Sequence, residues 1–471
     1  MKLWYKSHLS LFFLMVVIIV TVGCSGGSAG NSKNPSPDSP YPPPVTLPSI
    51  PSPSGKTYYV SPNGSDLNNG SFDAPFATLS KAVSIMAAGD AVYLRGGIYT
   101  NEPSTIYLRA NGTPSSRYYI LAYPGEQPIL DFNYRGKHGI HITGSYWVIK
   151  GLEIIHAASN GIRIGDVNAP GGGNYNIIEQ CSFHHNRDTG LHIGLSKGTN
   201  INLDGSRAAY NWIINCDSYL NMDPNGSTGP GGNADGFACK LSPGKGNIFY
   251  GCRAWENSDD GWDFYMTRFP ITVENCWTWH NGDPHSPYAD TFTGTWAGNG
   301  QGFKVGGGSS SKANEFESYG AHVLRNCIAF NIKYGNSAVR AFDRNNHKSG
   351  VTMINCVAWG SSTGFYFKAA PNDGSHHTLV NCVAFDCDTI HALSNDTVSI
   401  HNSWNLPGIA ANKDDFTGLD ETLAKAPRGS NGELPEGFAR LVADSDLIDK
   451  GVYTGAPFLG SAPDLGAFEK Q

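Results

Sequence analysis

Four aspartates in two short stretches of the chain are the first residues whose types and spacing suggest chemistry. The segment SDDGWDF, residues 258–264, holds Asp259, Asp260 and Asp263 within five positions. A second Asp-Gly-aromatic segment, NADGFACK, places Asp235 25 residues before Asp260. Only 15% of the chain is charged, against about 25% in an ordinary soluble protein. Because like charges this close repel, a cation must compensate them or some must remain protonated.

Two further segments of the same form carry basic residues. QGFKV places Lys304 where SDDGWDF has Asp263, and RAFDR holds Arg340 and Asp343. A neutral lysine amine is a general base, and neighbouring positive charge or desolvation lowers its pKa from about 10.4. We therefore expect Lys304 to be catalytic, the alternative being a surface salt bridge to Asp263. We expect Lys240, Arg340 and Asp343 to contact substrate.

These segments belong to an internal repeat. The phrases IIEQCSFHHN, WIINCDSYLN, IFYGCRAWEN and TVENCWTWHN recur, and looser copies follow, with cysteine at positions 181, 216, 252, 276, 327, 356 and 382. The shortest steps are near 25 residues, and each unit holds short β-branched and aromatic runs without helical periodicity. Self-similarity at this period indicates a solenoid, and β units indicate an all-β, right-handed parallel β-helix.

The repeat gives its most regular residues a structural explanation. Seven cysteines at one position of the coil predict an interior ladder of buried thiols rather than disulfides. The asparagine that ends each of the first four phrases, at positions 186, 221, 257 and 281, is expected to stack in a turn and to hydrogen-bond backbone. Neither set is predicted to take part in chemistry.

Aligning the coils by their Gly-aromatic pair predicts which side chains share a face. The aromatic residues would form one interior stack: Phe237, Trp262, Phe303, Phe342 and Phe365. Because strand side chains alternate, the next residues would point outward: Ala238, Asp263, Lys304, Asp343 and Tyr366.

Asp235 and Asp260 would occupy one lateral position on neighbouring coils, about 4.8 Å apart. The four aspartates then converge, and carboxylate oxygens in such a cluster suit Ca²⁺ better than Mg²⁺; the alternative is a solvated acidic patch or turn-capping aspartates.

The remaining segments frame this repeat. Two lysines precede an apolar run over 9–22, and TVGCS resembles a lipobox. Residues 1–24 are therefore predicted to be a signal peptide of lipoprotein type with Cys24 lipidated. An ordinary signal peptide is the alternative. Residues 25–56, rich in Pro, Ser and Gly, predict a linker, and 57–471 the β-helix catalytic domain. Residues 77–94 predict a short helix that caps the first coil, followed by a strand, and residues 447–469 a C-terminal cap.

Charge and site together limit the partners. A net charge of −7 without a basic stripe gives no general attraction to nucleic acid. Carboxylates, a cation and a lysine in a groove suit an anionic sugar polymer. A cation that bridges protein acids and a uronate carboxylate eases removal of the C5 proton, and the C4–O bond then breaks by β-elimination without water. We expect an exported bacterial monomer that is either secreted or anchored at the surface or outer membrane as a lipoprotein, with lipidated Cys24 as the one means of attachment.

The same segments resemble those of a known family. NADGFACK, NSDDGWDFY and GNGQGFKVGG, in this order, resemble the active-site segments of polysaccharide lyase family nine, the pectate lyase group. TYYVSPNGSD and APDLGAF resemble the edges of such β-helix proteins, so the resemblance spans about residues 57–470. It implies that the four aspartates bind Ca²⁺ and that Lys304 is the Brønsted base. The family also holds rhamnogalacturonan lyases, which are the alternative activity.

Three other functions use part of this residue set. A hydrolase needs paired acids and an activated water, and it leaves Lys304 without a role. A non-catalytic glycan-binding β-helix would leave the polymer's length unchanged, and a uronan epimerase would return a proton to the opposite face. Only the lyase produces unsaturated ends that absorb in the ultraviolet.

Overall fold

The computed structural model describes residues 39–168, 172–195, 202–285, 292–312, 315–336 and 339–470. The predicted signal peptide and Cys24 lie outside the described residues. In the described ranges, no helix has the length and apolar character needed to cross a membrane.

Short strands stack into three parallel sheets that wind as a right-handed β-helix, as predicted. Each coil contributes one strand in turn to sheet A, sheet B and sheet C, and each strand pairs in register with its equivalent one coil further on. The coil axis therefore runs perpendicular to the strands, and residues at equivalent positions form rows along it, about 4.8 Å apart.

The strand bounds are as follows. Sheet A has 12 described strands: β1 (Thr57–Val60), β2 (Ala91–Leu94), β5 (Tyr118–Ala122), β8 (Trp147–Lys150), β11 (Ile177–Glu179), β14 (Trp212–Ile214), β17 (Asn247–Tyr250), β20 (Ile271–Glu274), β23 (Val323–Arg325), β26 (Thr352–Ile354), β29 (Thr378–Val380) and β32 (Val398–Ile400). Sheet B has 10: β3 (Gly97–Tyr99), β6 (Pro128–Asp131), β9 (Glu153–Ile155), β12 (Ser182–His184), β15 (Asp217–Tyr219), β18 (Arg253–Trp255), β21 (Trp277–Trp279), β24 (Ile328–Phe330), β27 (Val357–Trp359) and β30 (Val383–Phe385).

Sheet C also has 10 described strands: β4 (Ile106–Leu108), β7 (Ile140–Ile142), β10 (Ile162–Ile164), β13 (Leu191–Ile193), β16 (Phe237–Cys239), β19 (Trp262–Asp263), β22 (Phe303–Lys304), β25 (Phe342–Asp343), β28 (Thr363–Phe367) and β31 (Thr389–Leu393). Outside the coil, β33 (Phe416–Thr417) and β34 (Arg440–Leu441) pair antiparallel, and the short helices are α1 (Leu79–Val83), a 3₁₀ turn (Lys413–Asp415) and α2 (Glu421–Ala424).

The aromatic stack predicted inside sheet C is confirmed. Phe237, Trp262, Phe303, Phe342 and Phe365 are fully buried, and the ring centroids of successive members lie 5.0, 4.7, 5.1 and 4.8 Å apart. Their register also fixes the outward row, in which Ala238, Asp263, Lys304, Asp343 and Tyr366 are paired one after another.

The corner between sheets A and B explains the recurrent Asn-Cys pair. The residue before each ladder cysteine has a left-handed backbone, as at Asn215 (φ 52°) and Gly251 (φ 65°), which Asn and Gly tolerate best. The cysteine itself turns inward; the Cys216 thiol, for example, donates to the Ile178 carbonyl at 3.5 Å. All nine described cysteines are free, and the seven of the ladder are buried, which confirms the prediction.

Stacked asparagines stabilise two other corners. In the predicted ladder, the Nδ2 of Asn186, Asn221 and Asn257 donates to the Oδ1 of the next member at 2.9, 2.9 and 3.0 Å. A second ladder that the repeat phrase did not reveal joins Asn176, Asn211 and Asn247 at 3.1 and 3.0 Å. Each Oδ1 also accepts from a backbone N–H, so these side chains satisfy polar groups that the tight corners bury.

The two ends of the chain meet the β-helix differently. Helix α1 covers the first coil as predicted: Thr78 caps it, and Leu79 and Ala82 are buried in the core. The predicted C-terminal cap is not confirmed, because Leu447 and Leu465 in that segment pack against the outer face of sheet B. The physical reason is that this face carries large aromatic side chains that need cover: Trp279, Phe330 and Trp359.

Part of the predicted linker contacts the body. Residues 39–56 run along the outer face of sheet A: the Pro51 carbonyl accepts from the Tyr119 hydroxyl at 2.6 Å, and the Val45 N–H donates to Glu274 at 3.0 Å. The domain boundaries themselves stay a prediction.

The asparagine ladder yields a stability prediction. Asn211→Ala removes the acceptor of the buried Asn176 N–H and the donor to the Gly173 carbonyl, at about 1–3 kcal/mol for each buried group left without a partner. We expect the midpoint of chemical unfolding to fall accordingly. The exposed Asn63→Ala control should change the unfolding free energy by less than about 0.5 kcal/mol. Equal midpoints for the two variants would show that the ladder is dispensable.

Candidate active site

The site lies on the outer face of sheet C. Asp263 ends β19 and pairs directly with Lys304 of β22, while Asp235 and Asp260 occupy the turns that enter β16 and β19. The Asp260 N–H donates to Asp235 Oδ1 at 3.4 Å, so these two residues are neighbours on successive coils. The repeat therefore places both aspartates at one lateral position, as predicted.

Three of the four aspartates converge closely. Carboxylate oxygens of Asp235, Asp260 and Asp263 lie within 4.8 Å of one another, and all three residues are buried. Asp259 is also buried and lies beside them, but its Oδ1 accepts the Asn299 N–H at 2.7 Å. The fourth predicted ligand is thus held by a loop at the rim of the cluster.

Two ammonium groups lie among these carboxylates. Lys304 Nζ is 2.9 Å from Asp260 Oδ2 and 3.7 Å from Asp263 Oδ2. Lys240 Nζ is 2.6 Å from Asp235 Oδ2 and 3.0 Å from Asp263 Oδ2. Asp263 therefore lies between the two lysines, and two positive charges face four carboxyl groups.

Burial and mutual repulsion shift the acidities of the cluster. Burial raises the pKa of Asp235 and of Asp260 to about 8, with neighbouring carboxylates adding to the effect. Burial likewise raises the pKa of Asp259 to about 7. Burial also acts to raise the pKa of Asp263, but the ammonium groups of Lys240 and Lys304 outweigh it, and the pKa is lowered. Lysines and retained protons together compensate the charge.

The donor set fits a hard cation. Asp235, Asp260 and Asp263 provide buried oxygens only, the ligand type that Ca²⁺ prefers. The four aspartates would hold the ion. Lys240 would have to leave the two carboxylate oxygens that it contacts, since an ammonium and a metal ion compete for the same lone pairs.

The predicted substrate contacts lie on either side of the cluster. Lys240 was expected at a subsite, but its ammonium group lies inside the acidic cluster. Arg340 Nη1 contacts Asp343 Oδ2 at 2.7 Å, and its guanidinium stacks 3.3 Å from the ring centroid of Tyr366. Arg340 and Asp343 thus adjoin Lys304 on the side away from Asp263. Their roles stay predictions.

The insertion before Lys304 forms a wall above the cluster where it is described. Besides the Asn299 contact, the Gln301 N–H donates to Asp260 Oδ1 at 2.9 Å. The Trp296 indole donates to the Gly282 carbonyl at 3.0 Å, and the Ala297 N–H donates to the Pro230 carbonyl at 2.9 Å. These bonds join the insertion to the loop before Asp235, so one rim orients two of the aspartates.

One functional contact was missed in the sequence. Thr189 Oγ1 donates to Asp235 Oδ2 at 3.2 Å, and the Gly190 N–H donates to the Asp235 carbonyl at 3.0 Å. Thr189 and Gly190 occupy, one coil earlier, the positions of Asp235 and Gly236. Extending the Asp-Gly-aromatic alignment back to TGLHI would have revealed this contact.

Known proteins share both the fold and these segments. The family described as "Pel9A-like, right handed beta helix region" matches residues 58–377. The chain belongs to this family. Pectate lyase L of Dickeya dadantii (strain 3937) is 36% identical over 431 residues, covering 88% of this chain and 91% of that protein. The resemblance to family nine polysaccharide lyases and the prediction of a lyase are thereby confirmed.

Two solved structures align with this Pel9A-like chain over most of its length. The crystal structure of pectate lyase Pel9A is 34% identical, with a TM-score of 0.74, and the alignment covers 89% of this chain and 97% of that one. A rhamnogalacturonan lyase is 28% identical with a TM-score of 0.68, over 83% of this chain and 97% of that one. The shared fold is therefore common to enzymes named for two different polymers.

The acidic cluster yields a binding prediction. Asp260→Asn removes one charged ligand while keeping the side-chain shape, so the affinity for Ca²⁺ measured by isothermal titration calorimetry should fall at least about tenfold. Asp343→Asn is the matched control, since Asp343 is a buried acid of the outward row that pairs with Lys304 on the side away from the cluster. Unchanged Ca²⁺ affinity in Asp260→Asn would remove this carboxylate from the ligand set.

Proposed function

We propose that the protein is a calcium-dependent pectate lyase that cleaves α-1,4-linked galacturonan by β-elimination, with Lys304 as the base. The observation that carries this proposal is the position of the Lys304 amine, beside Asp263 in the outward row and 2.9 Å from Asp260. Membership of the Pel9A-like family and the oxygen-only donor set support it.

The aspartates would position the substrate's reacting sugar through a shared cation. The four aspartates would hold Ca²⁺, and the positive charge of that ion near a uronate carboxylate would make the C5 proton more acidic. Asp235 and Asp260 fix the position of the cation relative to Lys304, because the coil register holds all three residues in place. Asn299 and Thr189 hold Asp259 and Asp235 in orientation from the two rims.

Lys304 would accept the C5 proton at its Nζ. Burial favours the neutral amine, but the carboxylates of Asp260 and Asp263 outweigh it and raise the pKa of Lys304 well above its ordinary value. With a cation held by these carboxylates, their stabilisation of the ammonium would weaken, and the Lys304 amine would then be available as a base. Proton transfer to Nζ, formation of the C4–C5 double bond and departure of the C4 oxygen then balance without water.

Two polymers are candidates for the substrate. A rhamnogalacturonan lyase with the same site is the second candidate, supported by the 28% identity to a structure of that name. The higher identity to pectate lyase L favours galacturonan. We also propose that the protein is exported as a monomer, with Cys24 as its only membrane attachment if it is lipidated.

The first activity prediction concerns the ion and the product. Polygalacturonate with Ca²⁺ should give ultraviolet absorbance from unsaturated ends, chelation should abolish it, and added Ca²⁺ should restore it. A parallel assay with rhamnogalacturonan distinguishes the two polymers. Full activity after exhaustive chelation would contradict the calcium role, while new reducing ends without absorbance would indicate hydrolysis.

The second activity prediction concerns the base. Lys304→Ala should lower turnover by about 10²- to 10⁴-fold, the range for loss of a general base, while binding of polygalacturonate persists. Lys425→Ala is the matched control, since it removes a lysine that pairs with Glu256 at 2.8 Å on the surface, away from sheet C. Near-parental turnover in folded Lys304→Ala protein would refute the assignment.

A further inference from the structure

The outward row of sheet C continues beyond the acidic cluster towards the N-terminal end of the coil. His141 of β7, Arg163 of β10 and His192 of β13 are paired one after another, and His192 pairs with Ala238 next to Asp263. Three interstrand steps separate Arg163 from Asp263, a distance of about 14 Å along the axis. The row that carries the candidate catalytic groups thus carries an arginine three coils away.

Arg163 is a buried cation in this row. It is 8% exposed, and its Nη2 donates to the Leu195 carbonyl at 2.5 Å. Among the described residues, no carboxylate forms a salt bridge with it, and Asp188 and Asp166 attract it only at longer range. Burial lowers its pKa to about 10, so it remains charged at neutral and mildly alkaline pH.

The cost of this arrangement points to an absent partner. A buried charge without a close counter-ion is destabilising, and the Nε and Nη1 groups of Arg163, which point to different sides of the guanidinium, can each donate to an anionic oxygen. Its neighbours in the row do not compete for an anion, because burial lowers the pKa of His141 and of His192 and keeps both rings neutral.

A continuous groove joins Arg163 to the candidate site. A cavity of about 520 Å³ is lined by Arg163, Lys137 and His192, and a second of about 460 Å³ is lined by His192, Arg187 and Lys240. The two share several lining residues, His192 among them, so the groove runs from the acidic cluster past β13 to β10.

The acids in this groove are already engaged. Asp188 accepts the Ser159 hydroxyl at 3.0 Å and the Thr189 N–H at 2.8 Å. Asp166 accepts the Asn168 N–H at 2.8 Å and lies 3.8 Å from His141. Neither carboxylate forms a salt bridge with Arg163, which lines the groove and is attracted by both acids only at longer range.

We propose that Arg163 binds the carboxylate of a uronate residue about three coils from the bond that is cleaved, forming a distal anionic subsite. This inference rests on the proposed function, since it requires a uronate polymer in the groove. A sugar held there contributes binding only when the substrate is long enough to span both sites, so the subsite makes the enzyme favour long chains over short oligomers.

The test compares substrate lengths. Arg163→Ala and Arg163→Lys are assayed on polygalacturonate and on a series of galacturonate oligomers by ultraviolet absorbance. Loss of a charge-assisted hydrogen bond should raise KM for polygalacturonate and the longest oligomers by about 10- to 100-fold, with KM for the shortest cleaved oligomer unchanged. Arg163→Lys keeps the charge without the planar guanidinium, and its KM should fall between those of the parent and Arg163→Ala.

A matched control and a binding measurement keep the outcome interpretable. Arg117→Ala removes an arginine whose Nη1 also donates to one backbone carbonyl, that of Tyr175, outside the groove, and it should leave KM unchanged for every length. Calorimetric titration of a long oligomer into Lys304→Ala protein, with and without Arg163→Lys, measures the subsite without turnover. Parental KM and affinity for long substrates in the Arg163 variants would overturn the subsite, whereas absence of unsaturated product from the unmodified protein would overturn the lyase.

Discussion

The in-register parallel hydrogen-bond ladder of sheet C is the constraint on which the site depends. Each strand is held about 4.8 Å from the next, and the interior aromatic stack prevents a strand from slipping, since a shift of one residue would reverse every side chain. Asp263 and Lys304 are neighbours because Trp262 and Phe303 are stacked beneath them. The chemistry of the outer face is thus set by packing on the inner one.

The second requirement is compensation of the negative charge of the aspartates. The fold provides it through neighbouring lysines rather than through exposure of the carboxylates to water. Asp235, Asp260 and Asp263 are buried, so water screens their repulsion poorly. Lys240 and Lys304 supply part of the opposing charge. The carboxyl groups with raised pKa values retain protons, which compensates the rest. Because this cluster of buried carboxylates is costly without a divalent cation, it is preorganised to bind one. The oxygen-only donor set is therefore the part of the site that supports the proposed elimination chemistry.

The groove continues from the acidic cluster along the coil axis. A polymer that lies across successive strands presents carboxylates at regular intervals along this row, and Arg163 is the cation that we propose binds one of them. The other two sheets carry covers on their outer faces. Residues 39–56 lie on sheet A, and the C-terminal segment covers the aromatic residues of sheet B.

The sequence by itself determined the coil, the interior thiols and aromatic residues, and the outward placement of Asp263 and Lys304, because strand alternation and the repeat period are local properties. It also indicated Asp235 and Asp260 as neighbours, since one repeat separates them. Only the tertiary structure decided that Lys240 reaches back among the carboxylates and that the C-terminal segment covers sheet B. The reach of a long side chain and the docking of a distant segment depend on three-dimensional packing, which no period in the sequence records.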